Sequence, residues 1–246
     1  VREAFRIAEE ERPGAVLLEL PEDIAVEETD AKVLNPTERF YAIGCDEVLQ
    51  LAAAKIKAAK RPLILVGAGA NRRNIRRSIS DFISFTRIPF FCTQMGKGVV
   101  DESSDLFLGT AALSDKDYLH DYIKAADLII NIGHDVVEKP PFFMEHGGTE
   151  VIHVNYKSAK VDQIYFPQIE VIGHIMLSLD RLCELIERPQ KYDLSSFEKV
   201  KANVNEKIYE KSDCDDFPMK PQRIVSDIRK IMGYHDIIAL DLSLIH

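Results

Sequence analysis

The chain has 246 residues, of which 46% are hydrophobic and 29% charged, and carries a formal net charge of -9. That acidic balance disfavours nucleic acid or an anionic membrane surface as the main partner. The longest apolar run, Pro62 to Ala70, is far short of the roughly 18 residues that a membrane helix needs. The four cysteines, Cys45, Cys92, Cys183 and Cys214, are widely spaced with no CxxC pair, as expected of reduced thiols in a cytoplasmic protein rather than a metal or redox site. Val1-Arg2-Glu3 reads as the start of a charged helix, not as a secretory leader.

In chain order, residues 1–11 predict an amphipathic helix with Ala4, Phe5, Ile7 and Ala8 on its apolar side. Arg12-Pro13-Gly14 breaks it, and Ala15 to Leu20 reads as a buried strand. Pro21 to Gly44 is acidic and aperiodic, as in a linker. Asp46 to Lys60 predicts a helix with a stripe of Val48, Leu51, Ala52 and Ile56. Leu63-Ile64-Leu65-Val66 is a continuous apolar strand of the kind covered on both faces. Gly67-Ala68-Gly69 follows, then a basic helix over 72–85 and a strand at Pro89 to Cys92. The alternation continues with a helix over 117–124 and strands at 128–132, 151–154 and 170–172, and closes with a helix over 175–186.

Strands separated by helices or long crossovers predict an α/β fold: a doubly wound, parallel, six-stranded sheet with helices on both faces. After Pro189 come a charged helix over 195–211, an acidic loop with Asp213, Asp215 and Asp216 that reads as a solvated linker, a helix over 221–232 and an apolar strand at 237–240. A strand that begins at 237 and finds no continuation suggests an edge of a second fold.

In such a sheet ligands bind beyond the carboxyl ends of the strands. That edge carries Gly67-Ala68-Gly69, Thr93 to Gly98, Gly133-His134-Asp135 and the loop from Asn155. Glycine after a strand lets backbone approach a phosphate. Yet the nicotinamide fingerprint is incomplete, because Arg72 occupies its sixth position and Thr93 stands after the second strand where an acid would bind ribose. His134, Asp135 and Glu138 lie in one strand-end loop, which reads as a solvated polar loop rather than a ligand set. His153, inside a strand, reads as a hydrogen-bonded core histidine. No nucleophile elbow, P-loop lysine or zinc spacing is present, so these residues alone nominate no catalytic group and no metal ligand.

Several segments taken together resemble the acetolactate synthase group of thiamine diphosphate enzymes. Ala4-Phe5-Arg6-Ile7-Ala8 and Arg12-Pro13-Gly14 through Asp23 are similar to the end of its first, pyrimidine-binding domain. Arg61-Pro62 through Gly69, Thr93 through Glu102 with Leu108-Gly109-Thr110, Ala126 through Gly133 and Val151 through Val154 resemble its central domain. Met219-Lys220-Pro221-Gln222 with Ile237 through Asp241 resembles the start of its diphosphate-binding domain. The resemblance implies three portions: residues 1–30 from the first domain and linker, 31–188 as the central domain, and 189–246 as a linker and the start of the third.

It also implies an enzyme that decarboxylates pyruvate and ligates the product to a second 2-oxoacid with thiamine diphosphate and Mg2+. The resemblance extends to members that serve branched-chain amino acid biosynthesis and to catabolic ones, between which the sequence does not choose. It implies a homodimer or homotetramer, with a small regulatory subunit as a candidate partner. The family's activating glutamate would precede Val1 and its magnesium motif would follow His246, so the chain alone is expected to be inactive. Arg12, Gly67, Gly69, Thr93 and Gly109 match positions that contact FAD in the flavin-holding members. Gly133-His134-Asp135, however, lacks the arginine expected there, Asn155 replaces an aspartate and His174 follows Gly173 where an aspartate is usual, so FAD is expected to bind weakly or not at all. Another carboligase or decarboxylase of the superfamily, of the oxalyl-CoA decarboxylase or glyoxylate carboligase type, remains an alternative reading, as does a stand-alone nucleotide-binding module.

Overall fold

The computed structural model describes residues 1–11, 13–35, 41–111, 119–134, 144–161, 163–233 and 235–239. The chain divides into two compact units, Val1–Leu194 and Ser195–His246.

The first unit begins with helix α1 (Arg2–Glu9) and a single helical turn, α2 (Glu22–Ala25). Helix α3 (Asp46–Ala58) opens the regular part, with Asp46 and Glu47 in its first turn and Lys55 and Lys57 in its last, each sign matching the helix dipole. Then come β1 (Pro62–Val66), α4 (Arg76–Thr86), β2 (Phe90–Cys92), β3 (Phe107–Thr110), α5 (Leu119–Ala125), β4 (Leu128–Ile132), β5 (Glu150–Asn155), β6 (Ile169–Ile172) and α6 (Ile175–Ile186). All six strands are parallel, in the order β3-β2-β1-β4-β5-β6. The predicted doubly wound sheet is therefore present, and its winding reverses between β1 and β4.

The two strands at that reversal are buried along their whole length, which is why their sequences are apolar throughout save for Asn131 in β4. Alternate residues go to opposite faces. Ile64, Val66, Ile130, Ile132, Ile152 and Val154 join one core with Leu49, Ala52 and Ile56 of α3, Ile79 and Phe82 of α4, and Leu179 and Leu182 of α6. Leu63, Leu65, Ile129 and Val151 are buried on the other face. Opposite the carboxyl edge, the Asp127 carboxylate accepts the Lys60 and Arg61 amides at 2.9 Å each and so ties the entry of β1 to that of β4.

Several expectations are corrected. The buried stripe of α3 is Leu49, Ala52, Ala53 and Ile56, whereas Leu51 is exposed, because α3 packs on both α6 and β6 and the contact turns toward 49 and 53. The helix expected from 72 begins at Arg76, since the chain first makes a short 3-10 turn at Ala68–Ala70. Residues 15–20 are neither a strand nor buried; an extended segment becomes a strand only beside a ladder partner, and these residues have none among the described ones. No residue of α1 is fully buried, and Phe5 and Ile7 are exposed. Residues 237–239 are irregular and exposed, not a strand, and Leu240 lies outside the described residues.

The second unit contains α7 (Ser195–Tyr209) and α8 (Pro221–Ile231). Its acidic loop is not a free linker. Asp215 and Asp227 accept from Arg223 at 2.9 and 2.6 Å, the Cys214 carbonyl accepts from the same guanidinium at 3.3 Å, and Asp213 accepts from Lys230 at 2.8 Å.

Candidate functional site

The carboxyl ends of β1, β2, β4 and β5 bring the sequence candidates to one edge. Gly67 and Gly69 follow β1, and Thr93 follows β2, where its amide donates to the Val66 carbonyl at 2.9 Å. The Thr93 hydroxyl oxygen accepts the Gly96 amide at 3.1 Å. Gly109 belongs to β3, at the outer end of the sheet, paired with Phe91 across a register shift. Its φ of +142° is the conformation that lets β3 carry an extra residue there. Arg12 lies outside the described residues, as do Asp135 and Glu138. Its neighbour Glu11 reaches this edge, with its carboxylate 3.5 Å from the Arg72 guanidinium.

The loops after β1 and β4 meet backbone to backbone. The Gly67 amide donates to the Ile132 carbonyl at 2.8 Å and the Gly69 amide to the Gly133 carbonyl at 2.7 Å. A Cβ on Gly69 would lie 3.0 Å from the Gly133 oxygen, and one on Gly133 (φ +70°) would lie 2.2 Å from the Ala70 nitrogen.

Beside this contact is a buried polar chain that sequence reasoning did not assemble. Asn131 and His153 are register partners on β4 and β5 and are almost wholly buried. Tyr165 bridges them: its hydroxyl oxygen accepts from Asn131 Nδ2 at 2.8 Å and lies 3.0 Å from His153 Nδ1. His153 Nε2 reaches the Lys157 carbonyl at 3.1 Å. His153 is thus the hydrogen-bonded core histidine expected. A polar residue at 131 inside an apolar strand was the one signal that could have flagged the chain.

His134 departs from expectation. It is 9% exposed rather than solvated, with its ring 4.8 Å from that of Tyr165. Burial, and the His153 ring beside it, push its pKa down to about 4. Asn155 Nδ2 donates to the His134 carbonyl at 2.6 Å, and its Oδ1 accepts the Tyr156 amide at 2.8 Å. His174, at the start of α6, packs on Tyr41 and Tyr156 with centroids 4.3 and 5.5 Å away, and burial lowers its pKa too. Nδ1 of His134 and of His174, Nε of Arg72 and Oγ of Ser178 are buried without a hydrogen bond. Lys97 pairs with Glu102. Buried neutral imidazoles and a paired lysine offer neither an accessible general base nor a free cation. Among the described residues, no group of three histidine, cysteine or acidic side chains could hold a metal ion, and no helix is long and apolar enough to cross a membrane.

Comparison with known proteins agrees with this picture. The chain is 26% identical over 252 aligned residues to an acetolactate synthase of Bacillus subtilis, covering 99% of this chain and 44% of that protein. It is 27% identical to a catabolic acetolactate synthase of Raoultella terrigena, covering 100% of this chain and 45% of that one. To a glyoxylate carboligase of Escherichia coli it is 23% identical over 95% of this chain and 41% of the other. The chain thus spans less than half the length of these curated relatives. A solved thiamin diphosphate-dependent enzyme from Mycobacterium smegmatis shares the fold, with a TM-score of 0.54 at 20% identity over 65% of this chain and 32% of that one. The model of the thiamine pyrophosphate enzyme central domain matches residues 49–182, more than half of the chain and the very span that carries the six-stranded sheet. The chain belongs to the thiamine pyrophosphate enzyme family, through that family's central domain.

Proposed function

We propose that this chain supplies the central domain of a thiamine diphosphate-dependent enzyme of the acetolactate synthase type, which decarboxylates pyruvate and ligates the product to a second 2-oxoacid. The observation that carries the reading is that relatives named acetolactate synthase align along 99 to 100% of the chain. In this reading residues 31–188 form the central domain, residues 1–30 belong to the end of the pyrimidine-binding domain, and residues 189–246 lead into the diphosphate-binding domain. The whole protein works in the cytoplasm as a homodimer or homotetramer and takes Mg2+ with its coenzyme; a small regulatory subunit fits the biosynthetic members.

Thiamine diphosphate supplies the carbanion-stabilising chemistry of such reactions. The described residues do not fit it: they hold no group of three histidine, cysteine or acidic side chains that could bind the metal of a diphosphate. The role assigned to this domain is therefore to hold its neighbours in place, and the 246-residue chain alone is expected to be inactive. The glyoxylate carboligase relative supports a second reading, in which glyoxylate is the oxoacid consumed.

The test is to supply the product of the complete open reading frame with thiamine diphosphate, Mg2+ and either pyruvate or glyoxylate. Acetolactate from pyruvate, measured as acetoin after acid decarboxylation, supports the first reading. Carbon dioxide release from glyoxylate with no product from pyruvate replaces it with the second, and turnover by the 246-residue chain alone refutes the scaffold role.

A further inference from the structure

The strand order β3-β2-β1-β4-β5-β6 is that of dinucleotide-binding sheets, in which the ligand's diphosphate sits at the reversal between the two central strands, on glycine amides after the first of them. We propose that in this domain the crevice at the reversal is sealed by its own backbone, so that Gly67 and Gly69 serve loop-to-loop packing and the edge takes no dinucleotide. The inference stands independently of which 2-oxoacid the whole enzyme uses.

Three observations carry it. First, the amide donors that a diphosphate would need are already used. Those of Gly67 and Gly69 go to the carbonyls of Ile132 and Gly133, and those of Ala70, Asn71 and Arg72 go to Gly67, Ala68 and Ala70 at 3.1, 3.0 and 2.8 Å. Second, no space is left between the loops. A methyl group on Gly133 would collide with the Ala70 nitrogen, and one on Gly96 would lie 2.1 Å from the Val66 oxygen at the tip of β1. A glycine kept for phosphate approach would leave its missing Cβ facing an open crevice; here the missing Cβ faces protein backbone. Third, the charge is balanced from within. Arg72 faces Glu11, and Lys97 pairs with Glu102, so these cations are not free to meet the two negative charges of a dinucleotide. The orphaned imidazole nitrogens do not reopen the site, since both rings are packed against tyrosines.

The full chain is titrated into FAD, followed by flavin fluorescence polarisation and gel filtration at 450 nm, and into NAD+ by calorimetry. The expected result is no saturable signal with either probe and no flavin in the protein peak. In parallel, melting temperatures are compared for Gly69→Ala and for Gly14→Ala, a control with nothing within 4 Å of the added Cβ. Gly69→Ala is expected to lower the midpoint by about 5 °C or to prevent folding, with Gly14→Ala close to the parent. Stoichiometric flavin or saturable NAD+ overturns the proposal. So does a Gly69→Ala variant as stable as the parent, because the two loops would then not abut.

Discussion

The hydroxyl of Tyr165 donates to Nδ1 of His153 across 3.0 Å, and the rest of the chain determines that direction. The Lys157 carbonyl can only accept, so His153 carries its proton on Nε2 and presents Nδ1 as an acceptor. The Tyr165 oxygen accepts from Asn131 Nδ2 and gives its own proton onward. Two polar residues in the middle of adjacent buried strands are thus satisfied by one side chain from an irregular segment.

Tyr165→Phe keeps the ring and removes the bridge. Asn131 Nδ2 and His153 Nδ1 would both lose their partner in a buried layer, where an unsatisfied group costs about 1–3 kcal/mol. The expected outcome is a destabilisation in that range in a urea titration with an unchanged slope. A midpoint equal to that of the parent would mean that water or another group replaces the hydroxyl.

Acid should weaken the fold through its buried histidines. His134 is held neutral by burial, with a folded-state pKa of about 4 against an unfolded value near 6.5. Between those values the unfolded chain binds the extra proton, so stability rises with pH and is lost as pH falls from about 6.5 toward 4. The loss approaches roughly 3 kcal/mol as pH falls below the folded-state value. Burial depresses His153 in the same direction. Urea midpoints measured from pH 7.5 down to 5 should fall steadily, and His134→Phe, which keeps a ring against Tyr165, should flatten part of the decline. A parent profile flat across that range would contradict the burial of His134.

How much of this was legible follows from what each element depends on. β4 and α6 begin and end where the sequence predicts, because a run apolar but for Asn131 and a complete amphipathic turn pattern carry their own boundaries. β3 was harder to see: it is four residues at the edge of the sheet with a glycine bulge, so no period marks it. The run at 15–20 looks like a strand, yet strand formation depends on a ladder partner, which a local pattern does not contain. At the candidate site the glycine pattern was visible, but its purpose was not. Whether Gly69 faces a phosphate or Gly133 depends on how closely two loops distant in sequence approach. Tyr165 gave no signal at all, since its partners are fixed only by the pairing of β4 with β5.

Asn155 offers a test of one residue by one atom. Its Nδ2 donates to the His134 carbonyl and its Oδ1 accepts the Tyr156 amide, so only one of its two ends can be replaced by a carboxylate oxygen. Asn155→Asp would set an acceptor against the His134 carbonyl. The expected loss is about 1–3 kcal/mol at neutral pH. Lowering the pH should return part of it relative to the parent, because a protonated aspartate regains a donor. A neutral-pH midpoint equal to that of the parent would show that the β4 and β5 ends are not tied through this bond.

The sharpest contrast within the first unit is between β1 and the segment over 14–34. Leu63 to Val66 have no exposed surface, and the amides of Ile64 and Gly67 donate to the carbonyls of Pro89 and Ile132 at 2.9 and 2.8 Å. Leu17 is 90% exposed and Val33 97%, and apart from the turn of α2 no ladder or helix covers this stretch. Opening β1 means unfolding the sheet, whereas residues 15–20 need no unfolding to reach solvent. In hydrogen exchange, amides over 15–20 should therefore exchange at close to unstructured rates while those of β1 and β4 report the global stability. Limited proteolysis should cut between 14 and 34 before it cuts anywhere in the described residues of 46–186, leaving a product that keeps the sheet. Equal protection of 15–20 and β1 in this chain would mean that the apolar run at Ala15 to Leu20 is covered, and that its exposed side chains have a partner in solution.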